Sequence, residues 1–205
     1  MPAGQRGNAL DPQLDSLMDT DSLTSAEKEN LLELARQSLE AKLRGEELPR
    51  LNAKTSHLQA DGATFVTLTK NGRLRGCIGT LEAYRPLVED VQEHAIAAAL
   101  HDPRFPPLKA DELAEIEIEI SRLTAPVHLD YENADDLLSK LRPDIDGVIL
   151  RDGFKRATYL PQVWEQLLDA EEFLSYLCQK MGLPEDAWRY KKMDVLTYQV
   201  EEFHE

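Results

Sequence analysis

One short stretch of the sequence places a cysteine and two arginines at a spacing that could support nucleophilic chemistry. Arg73, Arg75 and Cys77 alternate with other residues in the run RLRGCIG. Side chains alternate between the two faces of a β-strand, so the three are predicted to share one face. Two guanidinium groups beside a thiol would favour the thiolate, which is its nucleophilic form. The stretch therefore suggests a catalytic Cys77 beside an anion-binding Arg75.

Two glycines flank this cysteine and admit two interpretations. A strand residue without a Cβ lets either a ligand or another backbone approach closely, so Gly76 and Gly79 are candidate ligand contacts. Cys77 can equally be a small core residue, because free cysteine is among the most buried residue types. Residue types alone leave both interpretations open.

The hairpin that would carry these residues is predicted with clear local signals. The run ATFVTLTK over residues 63–70 is rich in β-branched residues, and Asn71-Gly72 is a favoured two-residue turn because both positions need positive φ. The return strand is expected over residues 73–81. Uninterrupted pairing from this turn places Val66 opposite Cys77 and Leu68 opposite Arg75. The predicted basic face therefore also carries apolar side chains.

A proline-rich segment supplies a second set of candidate site residues. Three prolines in HDPRFPPL, residues 101–108, would hold Asp102 and Arg104 in fixed directions, as suits a site on a rigid loop. Asp102 is a candidate catalytic group that orients an arginine or shuttles a proton, and Arg104 is a candidate ligand-binding residue. The alternative is that the two pair with each other or cap a neighbouring helix.

The sequence contains few signals for a metal site, a nucleotide site or a serine-hydrolase site. The five histidines form no HxH or HxxxH pair, and no CxxC pair occurs, so no metal site is predicted. No GxGxxG, GxxxxGK[ST] or GxSxG motif is present, and no cofactor is predicted. Cys178 lies in an apolar helical run and is expected in the core.

The patterns around these segments predict an α+β fold, with a mainly antiparallel sheet flanked by helices. Thr24 and Glu27 have capping-box spacing before an amphipathic helix, and a second helix is expected after Pro86. Ile116, Ile118 and Ile120 alternate as in a half-buried strand, and residues 193–203 are predicted as one closing strand. Residues 1–22 show no sustained period and are predicted as a poorly ordered tail, followed by a single domain over 23–205.

The charge limits the classes of partner. The chain has 205 residues, with 23 Lys and Arg against 38 Asp and Glu, for a net charge of −15. Such a surface repels phosphate backbones and anionic lipids, so neither nucleic acid nor membrane is an expected partner. The candidate site is nevertheless flanked by four basic residues, Lys70, Arg73, Arg75 and Arg104, so a small anionic ligand is possible there. With no secretory signal and no apolar run of transmembrane length, a cytoplasmic protein is expected.

The segment LRGCIG at residues 74–79 resembles the signature of the AMMECR domain family. Further segments similar to that family follow in the same order, and the resemblance covers about residues 25–203. They are DPRFPP at 102–107, EIEIS at 117–121, DGVIL at 146–150 and LPQVW at 160–164.

The resemblance implies a larger α+β subdomain with a smaller one packed against it. It also implies that the strand carrying the LRGCIG segment borders the cleft between the two. It implies two possible partners, a radical-SAM protein and a Memo-like protein. It raises Cys77, Arg75, Asp102 and Arg104 as site candidates but supplies neither a reaction nor their roles. Two functions are therefore expected: an enzyme or enzyme component acting on a small molecule, or a non-catalytic adaptor for those partners.

Overall fold

A computed structural model describes residues 22–205, so all of the predicted tail except Ser22 lies outside the described residues. The predicted α+β fold with antiparallel pairing is confirmed, and its strands divide between two four-stranded sheets. The helices are α1 (Ser25–Arg44), α2 (Ser56–Gln59), α3 (Leu87–Leu100), α4 (Ala134–Lys140), α5 (Ala170–Lys180) and α6 (Ala187–Tyr190), with 3₁₀ helices over Ala110–Glu115 and Pro161–Glu165. The strands are β1 (Ala63–Lys70), β2 (Arg73–Gly79), β3 (Ile116–Leu123), β4 (Val127–His128), β5 (Gly147–Asp152), β6 (Lys155–Tyr159), β7 (Asp194–Tyr198) and β8 (Val200–His204).

The first sheet has the strand order β2-β1-β3-β8, and α1 and α3 pack on one of its faces. The predicted capping box begins α1: Thr24 accepts from the Glu27 backbone N–H, and the Glu27 carboxylate accepts from that of Thr24. Alternate residues of β1 and β3, including Val66 and Ile118, point to these helices and are fully buried. Burial of this apolar face holds the helices on the sheet.

The second sheet has the order β4-β7-β5-β6 and a core of its own. The rings of Trp164 and Phe173 stack at its centre with centroids 3.8 Å apart. The Trp164 indole N–H donates to the Asp146 carbonyl at 2.7 Å, so its one polar atom is satisfied in the core. Cys178 is fully buried here, as predicted, and burial raises the pKa of its thiol.

The chain crosses between the sheets at two adjacent points. The predicted closing strand is in fact two strands, because β7 pairs in the second sheet and β8 in the first. Gln199 lies between them, its backbone N–H donating to the Thr124 hydroxyl at 2.9 Å. Thr124 is itself where the chain leaves β3 for the second sheet. A small apolar cluster joins the sheets here, with Ala63, Leu123, Phe65, Tyr198, Ile149, Leu160 and Val200.

Within residues 22–205, no helix combines the length and the apolar character that crossing a membrane would require.

Candidate functional site

A β-bulge decides which way the signature cysteine faces. Leu68 pairs with Gly76 but Thr69 pairs with Leu74, so Arg75 is the extra residue of β2. An extra residue shifts the register by one and moves the following side chains to the other face. Cys77 therefore pairs with Thr67, and the prediction that it lies opposite Val66 was wrong.

The corrected register turns Cys77 away from the helices. Val66 faces the core beneath α3, so the neighbouring Thr67 and its partner Cys77 lie on the other face of the sheet. The Thr67 hydroxyl donates to the Cys77 Sγ at 3.3 Å. The thiol is neither fully buried nor fully exposed. This placement favours a thiol that borders a site over one that fills the core.

The protein itself occupies the space left by the two flanking glycines. A Cβ on Gly76 would lie 2.1 Å from the Ala98 carbonyl oxygen of α3, and one on Gly79 would lie 2.3 Å from the Thr64 carbonyl oxygen. Both contacts are shorter than any real Cβ contact. The glycines therefore permit close packing of backbone on backbone, and their contact with a ligand stays a prediction.

Asp102 fastens the proline-rich loop to the open edge of β2. One of its carboxylate oxygens accepts from the Cys77 backbone N–H at 2.8 Å. The Arg104 guanidinium donates to both oxygens, at 3.0 and 2.7 Å, and the Arg104 backbone N–H donates at 3.0 Å. The hydrogen bond from Arg104, above all, holds the pKa of Asp102 well below its usual range. Asp102 is only 4% exposed and remains ionised at neutral pH.

Arg104 is held against the backbone of Cys77 while part of its side chain remains open to solvent. Its guanidinium also donates to the Cys77 carbonyl at 3.1 Å, and its side chain is 54% exposed. The pKa of Arg104 is raised chiefly by its hydrogen bond to Asp102 and, to a lesser extent, by Cys77. The loop thus places a cation next to Cys77, and the predicted pairing of Asp102 with Arg104 is part of the same arrangement.

Arg75 is directed away from Cys77 and is engaged by other protein groups. Its guanidinium donates to both carboxylate oxygens of Glu112, at 3.2 and 3.0 Å, and to the Pro106 carbonyl at 3.0 Å. The hydrogen bond from Arg75 is the main reason that the pKa of Glu112 is lowered to about 2. With its side chain only 13% exposed, Arg75 braces the loop that carries Arg104. Its binding of an external anion stays a prediction.

Sequence reasoning missed Thr67 and Glu112 at this site. Thr67 was overlooked because the bulge at Arg75 was not expected, and an NG turn followed by alternating residues gives no signal for one. Glu112 lies 37 residues from Arg75 in the sequence. No local pattern connects two residues so far apart.

Comparison with known proteins gives a consistent result over nearly the whole chain. The model of the AMMECR1 family matches residues 32–203. A protein of Methanothermobacter thermautotrophicus is 42% identical over 185 residues, covering 89% of this chain and 96% of the relative. A protein of Methanopyrus kandleri is 39% identical over 189 residues, with coverages of 90% and 91%. The crystal structure of an uncharacterised Pyrococcus horikoshii protein is similar at a TM-score of 0.70 and 34% identity, covering 87% of this chain and 91% of that one.

Proposed function

The chain belongs to the AMMECR1 family, and we propose that it acts on a small anionic molecule as an enzyme, or as the catalytic component of one, with Cys77 as the nucleophile. One observation carries the proposal. A partly exposed thiol accepts a hydrogen bond from Thr67, and the backbone carbonyl of the same cysteine accepts one from a guanidinium that a buried carboxylate holds in place. A cation next to a thiol stabilises the thiolate relative to the thiol.

The chemistry assigned to each group follows from its protonation state and its contacts. The Cys77 thiolate donates its electron pair to an electrophilic carbon, and the electron pair of the bond that breaks leaves with the departing group. Arg104 keeps N–H donors available for the anionic part of the substrate. Asp102 stays ionised at neutral pH and has no proton to give, so it acts as a positioning residue for Arg104.

The chain is proposed to work in the cytoplasm, and the resemblance of the signature segments supports a radical-SAM protein and a Memo-like protein as its partners. An adaptor that only binds these partners is the second candidate function. One observation favours it: Phe154, at the tip of the β5–β6 hairpin, is fully exposed. Aromatic side chains are enriched in protein–protein interfaces relative to the rest of the protein surface.

The rate of alkylation tests the nucleophile. At pH 7, Cys77 should react with neutral iodoacetamide faster than the cysteine of a short unstructured peptide, because a neighbouring cation stabilises the thiolate. Peptide mapping by mass spectrometry assigns the label, and the buried Cys178 should remain unlabelled in the folded protein. A rate at or below that of the peptide cysteine would contradict the proposal.

Two variants separate the enzyme from the adaptor. If the chain is an adaptor, Phe154→Ser should reduce co-purification with the radical-SAM and Memo-like proteins of the same organism, and Cys77→Ser should leave the complex and its activity intact. If the chain is the catalytic component, Cys77→Ser should abolish the activity of the assembled complex without dissociating it.

A further inference from the structure

Two arginines face each other across the β5–β6 hairpin. Arg151 and Arg156 pair directly in the antiparallel register, so their side chains leave the same face of the second sheet. Like charges in opposed positions destabilise a sheet. In a chain that carries 38 acidic residues against 23 basic ones, such a pair invites a functional explanation.

The arginine pair lies on the face of the second sheet that is turned toward the first sheet. Ile149, two residues before Arg151, belongs to the apolar cluster between the sheets together with Phe65 of β1. Val148 and Leu150, by contrast, point into the second sheet's own core. Side chains alternate, so Arg151 continues the inner face just beyond that apolar cluster.

The neighbours of the pair place it close to β2. Arg156 forms an ion pair with Glu82, which follows β2 by three residues. Arg151 is partly buried, and no hydrogen bond or ion pair joins its side chain to any residue in 22–205. Asp194 of the neighbouring strand β7 pairs with Arg151, but the Asp194 carboxylate lies 2.8 Å from the His128 ring nitrogen. One partly buried guanidinium is therefore left with its donors unused.

We propose that Arg151 and Arg156 bind a carboxylate or phosphate group of a small molecule whose reactive part lies at Cys77. The inference rests on the proposed function and adds a second anion-binding contact, beyond Arg104, for the same small molecule. Phe65 pairs with Gly79 and shares its face with Cys77. The thiol and the arginines therefore lie on the two inner faces, each beyond the apolar cluster that joins the sheets. Guanidinium groups suit this role because their planar N–H donors match the oxygens of either anion.

The test compares two alkylating reagents that differ in charge. The rate constant for Cys77 is measured with anionic iodoacetate and with neutral iodoacetamide at one pH, and their ratio is taken. We expect Arg151→Gln to lower this ratio about three- to tenfold, since a nearby cation attracts the anionic reagent. Arg50→Gln makes the same charge change at an exposed loop position and should leave the ratio unchanged.

Competition then distinguishes the two kinds of anion. Inorganic phosphate and malonate are each added at constant ionic strength set with chloride, and the one that resembles the ligand should slow iodoacetate labelling in the wild type but not in Arg151→Gln. Thermal melting of both variants controls for folding. An unchanged reagent ratio in Arg151→Gln, or equal changes in Arg50→Gln, would overturn the inference. The iodoacetamide rate of the wild type, compared with that of the peptide cysteine, tests the proposed nucleophile separately, so either idea can fail while the other stands.

Discussion

Replacing Asp102 by asparagine removes the charge that fastens the proline-rich loop to the edge of β2. The carboxylate accepts four hydrogen bonds, one from the Cys77 N–H and three from Arg104. An asparagine offers one acceptor oxygen and turns an NH₂ group toward donors. Leaving one buried N–H unpaired costs about 1–3 kcal/mol, and the lost bonds to a half-exposed arginine add less. We expect a loss of about 2–3 kcal/mol in the free energy of unfolding at pH 7.

Urea denaturation measures this loss, and Asp111→Asn, an exposed acid in the 3₁₀ helix, is the matched control. The thermal midpoint should fall by about 5–10 °C. Because the pKa of Asp102 is lower in the folded protein, its contribution is present above its unfolded pKa of about 3.9 and is lost as the pH falls below that value. The difference between wild type and Asp102→Asn should therefore shrink from pH 7 to about pH 3. A loss below about 0.5 kcal/mol at pH 7, or a difference independent of pH, would refute the role assigned to this carboxylate.

Three further substitutions test separate parts of the structure. Gly76→Ala should destabilise the fold by about 2–3 kcal/mol in urea denaturation, because the new Cβ would lie 2.1 Å from the Ala98 carbonyl oxygen; a neutral effect would contradict this packing. Glu112→Gln should cost about 1 kcal/mol at pH 7 by weakening the bidentate pair with Arg75. The cost should shrink as the pH falls from the unfolded glutamate pKa of about 4.3 towards the folded pKa of about 2, and an equal cost at pH 7 and pH 2 would argue against the ion pair. Phe154→Ser should change the thermal midpoint by less than about 2 °C, since the side chain is fully exposed, and a larger fall would mean that Phe154 packs within the fold.

The features predicted correctly from the sequence are those that depend on neighbouring residues. Asn71 and Gly72 adopt φ of 53° and 71°, as the two-residue turn requires. The Thr24 and Glu27 capping box forms because both partners lie within one helical turn. Each of these rules involves groups a few residues apart, so the sequence itself carries the information.

The orientation of Cys77 depends on the bulge at Arg75, which local rules do not reveal. Arg75 leaves the regular pairing where its guanidinium meets Glu112 and the Pro106 carbonyl, both distant in sequence. The same limit explains the closing strand. Residues on both sides of Gln199 keep an alternating pattern, and that pattern does not say in which sheet each part pairs.

The residues of the candidate site were predicted better than the way in which the structure arranges them. Cys77, Asp102 and Arg104 were each selected from the sequence, and the structure brings the three together at the edge of β2. That Asp102 reaches the Cys77 backbone N–H follows from the end of α3 packing on Gly76, which is a tertiary contact. The separation of Arg75 from Cys77 could not have been found without the register.

The alkylation rate at pH 7 in three proteins tests most directly whether Arg104 makes Cys77 a nucleophile. Iodoacetamide should label Cys77 fastest in the wild type, more slowly in Arg104→Lys, which keeps a positive charge, and about fivefold more slowly in Arg104→Gln. Circular dichroism confirms that each variant is folded before its rate is compared. Labelling of Arg104→Gln at the wild-type rate or faster would contradict the claim.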